Sequence, residues 1–208
     1  MDEIEMENIK SIWFDSGRVL LPLDLDATKD KFIELGASQN PQEDVNLFDT
    51  WERGEISRDE FYQGVKKHVK SFASLPSIRE AWNAMLLDLP QENFNFVHRL
   101  KKEYKLFLVS NTNSMHIEAI KQNMGMFRYN QFMNVFDEVF YSFEMGARKP
   151  EAEFFEIALK ASGFKPEECL LIDDNQANIN QATKMGFQTW LFDPESDVLR
   201  INKLKMAR

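Results

Sequence analysis

The feature that most constrains this chain is an alternation that begins at residue 105. Short apolar runs and helix-like stretches take turns, and the runs give way to polar residues. Lys105-Leu106-Phe107-Leu108-Val109 leads into Ser110-Asn111-Thr112-Asn113. Val139-Phe140-Tyr141 precedes Gly146-Ala147-Arg148-Lys149-Pro150-Glu151. Leu170-Leu171-Ile172 runs into Asp173-Asp174-Asn175, and Gln188-Thr189-Trp190-Leu191-Phe192 closes the series. Between these runs the spacing predicts helices over Met115 to Met124, Ala152 to Ser162 and Asn178 to Met185. Gly163 and Gly186 stop the last two. Alternation of this kind specifies a parallel sheet covered by helices on both faces. An earlier run, Ile12-Trp13-Phe14, belongs to the same sheet by type and ends at Asp15. There Ser16 and Gly17 let the backbone turn. The expected class is α/β, with a Rossmann-like parallel sheet.

Residues 24–100 have a different character. Asp26 to Leu35 reads as a helix stopped at Gly36, and Pro41 to Arg53 as another stopped at Gly54. Ser57-x-x-Glu60 and Ser77-x-x-Glu80 each match a capping box. Phe61, Val65, His68, Val69 and Phe72 follow the first box at helical spacing. Ile78, Ala81, Trp82, Met85 and Leu86 follow the second. Pro90 marks a break before a helix over Asn93 to Tyr104. Successive helices with no strand between them predict an all-helical insertion after the first strand. The expected division is an α/β core from residues 1–23 and 95–208, with a helical cap domain from 24–94.

Composition narrows the partners. The chain has 208 residues and a net charge of −9, with no segregated basic patch. A nucleic-acid backbone would be repelled. Any anionic substrate must be held by a local positive site. The single cysteine, Cys169, lies in an apolar run and reads as a buried small hydrophobe, so neither an internal disulfide nor a cysteine-held metal is expected. Met1 to Glu7 is acidic and lacks the apolar region of a secretory signal. No stretch approaches the roughly 18 to 20 apolar residues of a membrane span. A cytoplasmic protein is expected, acting on neither membrane nor nucleic acid, as monomer or homodimer.

In an open parallel sheet the carboxyl ends of the strands share one edge, and ligands bind in the crevice there. Asp15, Ser110 with Asn111, and Asp173 with Asp174 therefore converge. Each also has a local role open to it. Asp15 could form a turn, while Ser110, Asn111 or Asp174 could cap the helix that follows. Facing carboxylates repel unless a cation lies between them. Asp15 with Asp174 makes a set of hard oxygen ligands that selects magnesium. Lys149, in a loop that otherwise reads as solvated, adds a mobile positive charge. Arg18 is expected at the surface. His68 and His98 are read as packing or surface residues; His116, just after Ser110-Asn111, could approach the site, but the reading favours that it does not.

Together these residues resemble the haloacid dehalogenase (HAD) superfamily of phosphohydrolases, in the group with a helical cap inserted after the first motif. Asp15, Ser110, Lys149 and Asp173-Asp174 match its four motifs in order. The finer wording is similar to the bacterial α-D-glucose-1-phosphate phosphatase-like branch. It lies in Phe14-Asp15-x-Gly17-x-Val19, Trp51-Glu52-Arg53-Gly54-Glu55-Ile56-Ser57, Val109-Ser110-Asn111-Thr112-Asn113, Gly146-x-Arg148-Lys149-Pro150-Glu151 and Asp173-Asp174-Asn175-x-x-Asn178. The resemblance implies a magnesium-dependent phosphatase acting on a small phosphorylated metabolite. Asp15 would be the nucleophile. Asp15, the Gly17 carbonyl and Asp174 would hold the metal. Ser110, the Asn111 backbone N–H and Lys149 would hold the phosphoryl group, with Asp173 and Asn178 in support. Trp51 to Ser57 is read as fold rather than chemistry.

One departure matters. Most phosphatases of the superfamily carry an acid-base Asp two residues after the nucleophile, and Gly17 stands there instead. The α-D-glucose-1-phosphate phosphatase-like branch is similar in having Gly at that position. The missing acid-base residue motivates one alternative, a phospho-ligand binding protein without turnover, and a metal-free dehalogenase, which would not need Asp174, stands as a further one.

Overall fold

The computed structural model describes residues 4–37, 44–195 and 204–205. Its main sheet has five parallel strands: β1 (Ser11–Phe14), β2 (Lys105–Ser110), β3 (Glu138–Tyr141), β4 (Cys169–Asp173) and β5 (Gln188–Leu191). Their order across the sheet is β3-β2-β1-β4-β5. The first strand thus lies at the centre, with every residue buried. Alternation along each strand sorts the side chains between two layers. Ile12 and Phe14 join Leu106, Leu108, Leu170 and Ile172 on one face. Trp13 joins Phe107, Val109, Phe140 and Leu171 on the other. A strand covered on both faces has no polar side, which is why these segments read as continuous apolar runs.

Successive strands run outward from β1 on both sides, so the order reverses beside it. A crevice opens at such a point, at the carboxyl ends of β1, β2 and β4.

Four helices are inserted after β1: α1 (Leu25–Glu34), α2 (Val45–Glu52), α3 (Arg58–Val65) and α4 (Leu75–Asn83). They bury a cluster of their own, built on Phe32, Trp51, Phe61, Val65, Ile78 and Trp82. Phe61 is its hub, with ring centroids 4.8 Å from Trp51 and 4.7 Å from Trp82. By contrast α5 (Gln91–Leu100) lays Phe96, Val97 and Leu100 on the sheet. The chain then continues through α6 (Ser114–Met124), α7 (Met126–Met133), α8 (Ser142–Met145), α9 (Ala152–Ser162) and α10 (Gln176–Met185). Met115, at the start of α6, packs into the cluster of the insertion. The insertion is thereby seated beside the carboxyl end of β2.

Local expectations fail where tertiary contacts override them. The Ser57–Glu60 capping box forms, with the Ser57 N–H donating to Glu60 Oε2 at 2.8 Å. The Ser77–Glu80 box does not. Ser74 is the cap, and its Oγ accepts the Ser77 N–H at 3.2 Å. Pro76, which has no N–H to satisfy, fits the first turn that this register creates. Helix α3 ends at Val65, before His68, Val69 and Phe72. The Lys70 N–H donates to the Leu35 carbonyl at 3.1 Å, which draws the chain onto the end of α1. Of the helix expected from Pro41, residues 41–43 lie outside the described residues, and α2 starts behind Asp44. Helix α7 has no counterpart in the sequence reading; Gly125, at φ 74°, separates it from α6. Cys169 is buried as expected. Among the described residues no helix is long and apolar enough to cross a membrane.

The two serines can be told apart by stability. Ser74→Ala should lower unfolding free energy by about 1 kcal/mol, the usual value of a lost cap. Ser77→Ala should cost less than half of that. Urea titrations of both variants check the assignment.

Candidate active site

Pairing of Phe14 with Ile172 across β1 and β4 brings the next residues, Asp15 and Asp173, side by side. The Asp15 N–H extends that ladder, donating to the Ile172 carbonyl at 2.9 Å. Ser110 ends β2 on the other flank of β1, and it is buried. The capping alternatives for this edge are resolved against it. Asn113 caps α6, accepting the His116 N–H at 3.0 Å. Asn175 caps α10, accepting the Ala177 N–H at 2.8 Å. Ser110, Asn111 and Asp174 are thus released from capping.

Lys149 occupies the space between the carboxylates. Its Nζ lies 2.7 Å from Asp15 Oδ1 and 2.6 Å from Asp173 Oδ2, and its side chain is wholly buried. The lysine is therefore not solvated, as such a loop usually is, and its charge is held by two carboxylates rather than mobile. Two backbone bonds hold the lysine in place. Its N–H donates to Asn111 Oδ1 at 2.9 Å, and its carbonyl accepts from Asn111 Nδ2 at 2.8 Å. Asn111 thus contributes a side-chain clamp as well as a backbone. Asp173 is saturated: besides Lys149 it accepts the Asn175 N–H at 2.8 Å and Asn178 Nδ2 at 2.9 Å. It supports the lysine, as its neighbour Asn178 supports it.

Asp174 pairs with Arg18 at 3.3 Å. Arg18 keeps 39% of its side chain exposed, at the surface as expected, while pairing with Asp174. It is also the residue that makes the turn after Asp15, with φ 61°, in the left-handed region that costs most side chains about 1 kcal/mol. Gly17 has an ordinary φ; what it supplies is room, since a Cβ there would stand 2.9 Å from Leu23 Cδ1. His116 does not reach the site. Its ring stacks on Trp82 at 5.2 Å, with Nε2 3.3 Å from the Trp82 carbonyl, and burial pushes its pKa down to about 4.

Charge is unevenly matched here. Burial raises the Asp15 pKa to about 7, Asp173 and Asp174 push the same way, and Lys149 opposes them. Burial works against the Lys149 ammonium too, but Asp15 and Asp173 outweigh it and hold its pKa above the ordinary value. The Asp174 carboxyl is likewise raised, first by burial and then by Asp173, against Arg18. Three carboxylates thus face one buried ammonium and one half-exposed guanidinium. Asp15 and Asp174 could share a cation with a nearby carbonyl such as that of Gly17. Oxygen donors in carboxylate excess fit magnesium, which keeps waters and needs few protein ligands. No cluster of three or more Asp, Glu, His or Cys side chains is arranged to hold a metal among the described residues. That observation excludes a dense all-protein cage, which magnesium does not require.

Sequence reasoning missed four contacts: the Asn111 clamp, the Arg18–Asp174 pair, and the pairing of Arg148 and Glu151 with α2. All join residues that are far apart in the chain, so no local pattern marks them.

A buried ammonium between carboxylates, at the carboxyl edge of a doubly wound parallel sheet, is a local positive site in the crevice where such sheets bind ligands. Comparison with known proteins adds the family. Residues 43–186 match the model of the haloacid dehalogenase-like hydrolases, and the chain belongs to that family. It is 27% identical over 193 residues to the D-ribitol-5-phosphate phosphatase of Bacteroides thetaiotaomicron, covering 90% of this chain and 93% of that protein. A HAD family enzyme of the same organism, solved with magnesium and inorganic phosphate, superposes with a TM-score of 0.79 at 28% identity. The match covers 91% of this chain and 96% of that one. A predicted HAD-like hydrolase of Porphyromonas gingivalis gives a TM-score of 0.82 at 30% identity, over 91% and 93% of the two chains.

The raised Asp15 pKa has a consequence for stability. Between about pH 4 and 7 the folded protein holds a proton on Asp15 that the unfolded chain releases, so this group's contribution weakens as pH rises through that window. In chelator-treated protein, wild type should lose melting temperature relative to Asp15→Asn between pH 5 and pH 8. Melting curves of both proteins at the two pH values check the sign.

Proposed function

We propose that this protein is a magnesium-dependent phosphatase that acts on a small sugar or polyol phosphate. The observation that carries this reading is the wholly buried Lys149 ammonium bridging Asp15 and Asp173. The family match and a phosphatase relative matched over nearly its whole length support it.

In this reading Asp15, in its ionised form, attacks phosphorus. One Asp15 carboxylate oxygen bonds to phosphorus as the bond to the leaving oxygen breaks, giving an aspartyl-phosphate. Water then hydrolyses it and regenerates the carboxylate, so one hard displacement becomes two easier ones. Magnesium held by Asp15, the Gly17 carbonyl and Asp174 would neutralise the repulsion between an anionic nucleophile and an anionic substrate. Lys149, Ser110 and the Asn111 N–H hold the phosphoryl oxygens, where charge builds in the transition state. Asp173 and Asn178 keep Lys149 charged and in place. The insertion over residues 24–94 acts as the cap, excluding water and choosing the substrate.

Gly17 can neither donate nor accept the leaving group's proton. A positioned general acid is worth roughly 10² to 10⁴ in rate. Leaving groups that are stable as anions, such as an anomeric sugar in a glucose 1-phosphate-like substrate, need it least. The D-ribitol-5-phosphate relative widens the candidates to polyol phosphates.

Purified protein should release phosphate from p-nitrophenyl phosphate and from members of a sugar-phosphate panel with magnesium present. Chelation should abolish turnover. Asp15→Asn should reduce it at least 10³-fold while the protein stays folded, because the nucleophile itself is lost. Full activity in that variant would remove Asp15 as nucleophile. Ligand-induced stabilisation without turnover would favour a binding protein instead, and chelator-resistant release of halide a dehalogenase.

A further inference from the structure

The loop that carries Lys149 is held from two directions. Asn111 grips the lysine's own backbone from the sheet side. The second grip comes from the helical insertion. Arg148, the residue before Lys149, pairs with Asp49 at 2.8 Å and with Glu52 at 2.8 Å. Glu151, just beyond Pro150, accepts from Arg53 Nε at 3.0 Å and pairs with its Nη2. Glu151 also closes the loop on itself by accepting the Arg148 N–H at 3.1 Å. Directly after α2, Gly54 runs so close to the core that a Cβ there would collide with the Phe143 carbonyl.

Asp49 and Glu52, spaced i and i+3, lie on one face of α2, and its C-cap Arg53 follows at i+4 on the same side. That face meets a loop 96 to 99 positions further along the chain. An isolated surface ion pair is worth about 0 to 1 kcal/mol. These pairs are partly buried and share partners, so they act as a network. Burial raises the Glu52 carboxyl above its usual pKa even with Arg148 beside it.

We infer that Asp49, Glu52 and Arg53 are positioning residues for Lys149: the helical insertion sets where the lysine ammonium stands between Asp15 and Asp173. The inference rests on the phosphatase reading for what Lys149 does, but the contacts stand without it. Functional constellations must be held to about 0.5 Å. A loop gripped at the residues flanking Lys149-Pro150 meets that demand, and a loop released at one of them does not. Substrate selection by the insertion and phosphoryl binding by the core then share one mechanical element.

A double-mutant cycle read out by inorganic phosphate binding tests this, with magnesium present and melting temperature as the control for folding. Glu52→Gln, which keeps the shape of the side chain, should weaken phosphate binding about 5- to 10-fold. In a Lys149→Met background the same change should weaken it less than 2-fold, because residues that act through one another do not add. Equal losses in the two backgrounds, or no loss in wild type, would overturn the positioning role. A second arm exchanges charges: Arg53→Glu should weaken binding, and adding Glu151→Arg should restore it to within about 2-fold. No restoration counts against the pair. Wild-type protein that binds no phosphate at all would overturn the phosphatase reading itself, and the inference with it.

Discussion

Everything at the carboxyl edge depends on one buried ammonium. Lys149 brings a positive charge into the interior, where an unpaired ion costs several kcal/mol even after relaxation. The fold tolerates it because two carboxylates are already there. Parallel strands lie about 4.8 Å apart, and the β1–β4 register puts Asp15 and Asp173 at neighbouring strand ends. Asp173 spends its remaining capacity on Asn175 and Asn178. Asp15 is bonded to Lys149 as well, and burial pushes its carboxyl up to about 7. Two neighbouring acids thereby stand in different surroundings: Asp173 is bonded to Lys149, Asn175 and Asn178, and Asp15 to Lys149.

The same economy explains the division of labour between sheet and insertion. The sheet positions groups through its hydrogen-bond ladder, which is rigid because both faces are packed. Lys149 does not sit on that ladder. It comes from a loop, and loops need other restraints. Asn111 provides one from the end of β2. Helix α2 provides the other, so the insertion acts on the site through charge while its aromatic cluster keeps α2 in place. Gly17 and Arg18 complete the edge. The first leaves room for Leu23, and the second accepts an unfavourable backbone geometry and pairs with Asp174.

Much of the fold was legible in the amino-acid order. Short apolar runs of three to five residues marked the strands, and their lack of a polar side is what burial on both faces requires. Gly163 and Gly186 stop α9 and α10 as read. Helix ends were less legible. Near residue 75 two serines compete for one cap, and the register of Pro76 and Leu75 chooses Ser74. Near residue 66 a bond from Lys70 to Leu35 ends α3 earlier than its apolar spacing suggests. Such outcomes depend on which tertiary partner is within reach, and spacing carries no record of it.

By itself the sequence determined the class of fold, the strand ends that converge, and the identity of the acids and the lysine placed there. Local periodicity and the handedness of parallel connections suffice for that. Only the tertiary structure decided that Lys149 is buried, that Asn111 clamps it, that Arg18 answers Asp174, and that α2 grips the loop. It also decided that Asn175 and Asn178 hold Asp173 in place. The reason is that charge pairing and desolvation depend on distance and burial in space, and both are set by strand register and the seating of the insertion.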